Sequence, residues 1–235
     1  MKSKTVNKAS LKSDNHKSHM TSQDLVKSFE VQVDAVGAKF LKFPWDNANA
    51  YADWLAQTYY FVRHTTTLMC LSAAGFGADR REKHYGLLGH LKDELGHDLL
   101  LLNDLQHLDR DVTEFSELPE TALFWQNQFY ILQHFGPASH LGYSLVLEGV
   151  AAKYCPTVYR QLAKLYGAKG AEFVNVHANV DVDHYAHGAA ELVHLNEAEI
   201  ASVQRNLEQS ALLYGLMLEK VALRNSGRKE TAKSA

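Results

Sequence analysis

Cysteine is nearly absent from this chain, with two residues in 235, Cys70 and Cys155, too few for a disulfide framework. No apolar leader-like run follows the N-terminal lysines, so a reducing, cytoplasmic setting is expected. Long apolar runs are missing too. The longest, over 68–78, is about half of the 18 or so residues a spanning helix needs, and it contains glycines; no membrane association is expected. A basic excess is also lacking: the formal net charge is -3, which leaves no cationic stripe for phosphates, and nucleic acid is not an expected partner. Proline is scarce, four residues, each at an edge between apolar-periodic segments. Strand alternation does not extend beyond four or five residues. Histidine is the exception to this scarcity. Thirteen of them beside so little thiol direct any metal hypothesis toward imidazole and carboxylate ligands.

The chain divides into a polar, acid-poor tail over 1–21, which reads as disordered, a helical domain over 22–223, and a second polar tail over 224–235. Within the domain, breakers separate helical patterns. Residues 24–40 fit a helix. Asp46 is a plausible N-cap for a long helix over 47–74, stopped by Gly75-Phe76-Gly77. Leu88, Leu91, Leu95, Leu99 and Leu102 recur at helical steps through 80–108. Pro119 starts a fourth helix, which Gly136-Pro137 stops. A fifth covers 139–154, and Pro156 opens a short helix ending near Gly167. A sixth spans 171–194. Asn196 with Glu199 makes a capping box, flanked by the Leu195 and Ile200 staple, for a last helix reaching Leu223. The expected fold is all-α, a bundle of seven to eight helices with mostly antiparallel neighbours.

Three signals carry chemistry. In His177-Ala-Asn-Val-Asp181-Val-Asp-His184 the spacing i, i+4, i+7 puts two imidazoles and a carboxylate on one helix face, among valines that suggest core packing; a polar stripe on a surface helix is the plain alternative. Glu94 and His97 have the Glu-x-x-His spacing by which one helix can give a carboxylate and an imidazole to a metal. His90 lies on that face one turn earlier. Alone, this pair is common on surfaces; Leu95 and the leucines of 99–102 suggest burial. Glu148 stands in an apolar stretch, where an ionised carboxylate needs a partner, either a metal or one of Arg63, Lys153 and Arg160. Together the signals give three carboxylates and three imidazoles, an inventory that suits two iron or manganese ions better than zinc, magnesium or calcium.

On these residues the sequence resembles the haem-oxygenase-like di-iron oxidases and oxygenases, also called the iron-containing redox enzyme family, whose fold is shared with thiaminase II (TenA) and PqqC-like proteins. The resemblance implies a haem-oxygenase-like helical bundle with Glu94, His97, Glu148, His177, Asp181 and His184 as metal ligands. It implies two Fe, with Mn as a substitute, O2 as co-substrate, and oxidation of a small organic molecule such as an amine, amino acid, fatty acid or aromatic precursor. It also implies a homodimer and an external electron donor. His90 occupies the position at which some members place the first carboxylate, which leaves it open as a seventh ligand, a substitute for Glu94 or a hydrogen-bond partner of the ligands, and His187 and Asp93 are natural hydrogen-bond partners for the ligand imidazoles or else ordinary exposed residues.

Weaker readings stay open beside this one. Cys155 offers a nucleophile for a thiaminase-like hydrolase, although no base is evident beside it and a structural thiol accounts for it as well. A non-catalytic metal-binding bundle is the third alternative. Tyr59, Tyr60 and Phe61, with Phe124, Trp125 and Phe129, could line a substrate pocket or simply build core.

Overall fold

The structure, a computed structural model, describes residues 20–227; the expected polar tails fall largely outside them. The described residues form nine α-helices and no strand: α1 Ser22–Lys42, α2 Ala48–Val62, α3 Thr65–Gly75, α4 Arg81–Asp93, α5 His97–His107, α6 Pro119–Phe135, α7 Leu141–Tyr166, α8 Glu172–Glu191 and α9 Glu197–Asn225. The all-α expectation is met. The last helix starts as its sequence signals, with Asn196 and Glu199 capping α9 reciprocally; Thr21 and Asp24 cap α1 in the same way, and α2 is capped by Asn47 rather than the expected Asp46, because the Asn47 side chain accepts from the backbone N–H of Asn49 and Ala50. Leu195 and Ile200 are buried around the α9 cap, as a hydrophobic staple requires.

Helix continuity differs from the sequence reading in three places. The expected helix over 47–74 breaks at Arg63-His64, before Thr65-Thr66-Thr67, where three β-branched side chains disfavour a helix interior. The expected helix over 80–108 breaks at Gly96, which takes the left-handed φ of 87° that glycine adopts without steric cost. That break also shifts the leucine phase. Leu95 and Leu99 are 63% and 55% exposed, and the buried leucines of α5 are Leu101 and Leu105, so the burial expected from Leu95 and Leu99 is corrected. Conversely, Pro156 lies inside a continuous α7. Both halves of α7 bury residues, Leu145 to Ala151 before the proline and Cys155, Val158 and Leu162 after it, and this shared core outweighs the lost backbone bond.

The core runs along α7, which packs against α1, α8 and α9. Gly142 permits a close approach of two backbones, since a Cβ there would meet the backbone of Val203 and Leu207 in α9. An aromatic block of Phe40, Trp45, Tyr51 and Trp54 fills one end. The helix α4 is different. None of its residues is buried, its backbone packs chiefly on α3, and it contains Gly86 and Gly89, each facing open space where a Cβ would stand. Each glycine costs a helix interior about 1 kcal/mol relative to alanine.

Asp104 sets how α5 meets α8. Its buried carboxylate accepts hydrogen bonds from the backbone N–H of Glu172 and of Phe173, both at 3.0 Å, satisfying the first turn of α8. Asp104→Ala is expected to cost about 1–3 kcal/mol by leaving those donors unpaired, with Asp104→Asn recovering most of the loss in thermal melts. Equal stability of the alanine variant and the natural chain would show that the carboxylate does not tie the helices together.

Candidate metal centre

Four helices converge on one polar cluster. Continuous α8 presents His177, Asp181 and His184, α7 supplies Glu148 from a buried stretch, α4 ends at Glu94, and α5 begins with His97. Glu94 and His97 are therefore on two helices rather than the single one expected. The turn at Gly96 nevertheless keeps them together, with His97 Nδ1 3.1 Å from Glu94 Oε2. Of the flanking valines expected in the core, Val174 is buried but Val182 is exposed.

Apart from the His97–Glu94 pair, the donor atoms are spaced for a shared ion rather than for each other. His90 Nε2 lies 3.6 Å from Glu94 Oε1 and 3.9 Å from Glu148 Oε1. His184 Nδ1 lies 3.9 Å from Glu94 Oε1 and 3.5 Å from Asp181 Oδ1. These separations are long for hydrogen bonds, whereas ligand atoms about 2.0–2.2 Å from one ion stand about 3–4 Å apart. Two sets of three emerge, His90 with Glu94 and His184, and Glu94 with His97 and His177, each with its ligand atoms within 4.8 Å of one another. Glu94 belongs to both. Asp181 Oδ1 and His184 Nδ1 are buried with no hydrogen-bond partner, a costly state that a cation between them would relieve. With oxygen and imidazole donors and no thiolate, the residues present fit iron or manganese.

The electrostatics follow from burial and crowding. Burial would raise the Glu94 carboxyl, but the adjacent His90 and His97 imidazoles outweigh it and hold the group well below the usual carboxylate range. Burial pushes Glu148 up to about 7. The Asp181 carboxylate, acting against burial, raises the His184 imidazole to about 8. His177 Nδ1 donates to the carbonyl of Phe173 at 2.9 Å, which fixes the tautomer and leaves Nε2 as its free lone pair.

The other sequence candidates are placed as follows. None of the cations weighed for Glu148 reaches it: Lys153 pairs with Asp34 at 3.0 Å, Arg160 donates to Thr157, and Arg63 lies over the Tyr59 and Tyr60 rings. His187 is exposed and donates to the Asp183 carbonyl at 3.3 Å. Asp93 is exposed, with Oδ2 3.7 Å from His184 Nε2. Neither joins the two sets of donors.

A cavity of about 460 Å³ opens from the cluster, within the usual range for a small-molecule site. Phe61, Met69, Phe76, Leu147, Val150 and Tyr214 give it an apolar wall. Of the aromatics proposed from sequence, Phe61 alone lines it. Tyr59 and Tyr60 lie under Arg63, Trp125 stacks on His64 at 4.0 Å, and Phe124 is core. The sequence reading missed His140 and Thr58, buried cavity residues whose Nδ1 and Oγ1 have no partner. Nothing local to either residue marks it.

Residues 52–215 match a family described as iron-containing redox enzyme. Among solved structures, the chain is similar to a domain of unknown function with a heme oxygenase-like fold from Shewanella denitrificans OS217, at 19% identity and TM-score 0.74, over 92% of this chain and 99% of that one. It is also similar to a TenA homolog from Pseudomonas syringae pv. tomato DC3000, at 14% identity and TM-score 0.68, over 86% and 95% of the two chains. A TenA homologue from Pyrococcus furiosus aligns at 13% identity and TM-score 0.67, over 86% and 100%. These likenesses establish a heme oxygenase-like fold. No curated protein matches by sequence.

Proposed function

The chain belongs to the iron-containing redox enzyme family, and from that premise we propose that it is a di-iron oxidase or oxygenase acting on a small organic substrate. The ligands are Glu94, His97, Glu148, His177, Asp181 and His184. One observation carries the reading: imidazole and carboxylate atoms from α4, α7 and α8 stand 3.5 to 3.9 Å apart, with Asp181 Oδ1 and His184 Nδ1 buried and unpartnered. Two ferrous ions held there would supply the electrons and Lewis acidity for O2 chemistry. The chain's own residues do the rest. The Phe173 carbonyl orients His177, Glu94 is kept ionised by the imidazoles around it, and the apolar cavity wall excludes water from a bound substrate. Anaerobic loading is expected to give about two Fe per chain, with an O2-dependent absorbance change that disappears in His177→Ala and Glu148→Ala. An unchanged signal in those variants would remove the ligand assignment.

A hydrolase of the thiaminase type would draw on Cys155, which lines the cavity. Burial, with the Asp181 carboxylate adding to it, pushes that thiol far up, and the nucleophile would have to be the thiolate. Cys155→Ser is therefore expected to leave turnover within about threefold of the natural chain. Complete loss of activity with metal content intact would favour the hydrolase.

A further inference from the structure

Helix α4 lies over the cavity that adjoins the metal centre. Lys83, Gly86, Leu87 and His90 contribute to the lining, yet no α4 residue is buried. Side-chain ties hold it beyond α3, among them Lys83 to Glu191 of α8 at 2.7 Å, and Arg80, just before it, to Glu199 of α9. Such an element has few apolar contacts to lose on opening, so its local stability is low, and its two glycines lower it further. One side chain of this helix enters the cluster. His90 Nε2 stands 3.6 Å from Glu94 and 3.9 Å from Glu148, and its ring lies 4.0 Å from that of His184.

We propose that His90 is a metal ligand carried on a weakly anchored helix, so that ion binding holds α4 closed over the substrate cavity. The proposal rests on the metal reading above and adds a seventh donor to it. His90 and His184 would give one ion two imidazoles and the shared Glu94 carboxylate, the same donor types that His97, His177 and Glu94 offer the other. His177 and His184 belong to α8, which packs along α7, and Glu94 is the C-cap of α4, beyond its last turn. His90 sits a full turn inside α4, and is the residue through which an ion would grip the helix itself. Metal loading and formation of the closed cavity are then one equilibrium: each ion bound through His90 favours the closed arrangement, and opening α4 gives up one ligand.

Amide hydrogen exchange on the full chain with Mn(II), which needs no exclusion of air, tests this. If ions bind the closed form alone, then at Mn(II) about ten times its Kd, exchange at residues 85–90 of α4 slows about tenfold. The amides of α8 slow as well. In His90→Gln and His90→Ala, α8 is still protected by Mn(II) and residues 85–90 are not. Protection of α4 that persists in both variants, or a natural chain in which α8 slows and α4 does not, overturns the proposal while leaving the metal centre in place. If neither helix slows, the metal reading fails with it. The natural chain alone gives two of these outcomes, so the test survives a variant that folds poorly.

Discussion

Glu94→Ala is expected to take the metal content from about two ions per chain to none, whereas His97→Ala and His184→Ala are each expected to retain about one. The difference follows from the two oxygens of one carboxylate. Oε1 faces His90 at 3.6 Å and His184 at 3.9 Å, while Oε2 faces His97 at 3.1 Å. Removing one imidazole leaves the other set of donors whole; removing Glu94 breaks both. The loss is electrostatic as well as geometric, because the neighbouring imidazoles keep Glu94 ionised under all ordinary conditions, and a divalent pair needs that negative charge nearby. Elemental analysis after dialysis, with circular dichroism to confirm folding, decides the matter. One ion retained by folded Glu94→Ala would mean that the carboxylate serves a single ion and does not bridge.

The parts of this centre that could be read from sequence are those in which a single uninterrupted element sets the geometry. His177, Asp181 and His184 share a face because α8 is continuous through them. Glu148 is conspicuous because Leu145, Val146, Gly149 and Val150 around it are buried, and a carboxylate in such a setting needs a partner. Glu94 and His97 meet for a reason the spacing does not contain. The chain turns at Gly96 in a left-handed conformation, and a glycine within an otherwise helical pattern reads equally well as a tolerated defect. The role of His90 was open for the same kind of reason: its distance to Glu148 depends on how α4 lies over α7, which no local pattern records. The cavity was the least legible part. Its wall is assembled from single residues of many helices, such as Phe40, Trp54, Met69 and Tyr214, while the conspicuous aromatic pair Tyr59-Tyr60 lies beneath Arg63.

Metal-free protein is expected to lose stability as the pH rises from about 5 to 8, and metal-loaded protein to gain it. In the free chain, burial raises Glu148 from 4.5 to about 7, so the folded state binds a proton that the unfolded state has released. The corresponding stability is fully present below pH 4.5 and lost as the pH passes 7; by linkage it is on the order of 3 kcal/mol. His184 acts in the same direction, its imidazole raised from 6.5 to about 8 chiefly by Asp181, with stability present below 6.5 and lost through 8. Glu94 acts oppositely, because its carboxyl is held low: its contribution is present above pH 4.5 and is lost only in stronger acid. Buried Asp104, raised to about 7, adds to the fall, and buried His140, held down to about 4, opposes it below pH 6.5; the melting temperature should be about 6–12 °C lower at pH 8 than at pH 5 for a chain of this size. An ion reverses the slope by binding the ionised carboxylate and neutral imidazole and expelling their protons. Glu148→Gln should reduce the apo slope above pH 5 and weaken metal binding together, leaving the part of the slope that His184 and the buried Asp104 supply. Melts of the apo and Mn(II)-loaded chain at pH 5 and 8 distinguish this from a generic alkaline effect, which would give both forms the same sign. An apo melting temperature that stays level or rises over that range would mean that neither Glu148 nor His184 holds its proton in the metal-free fold.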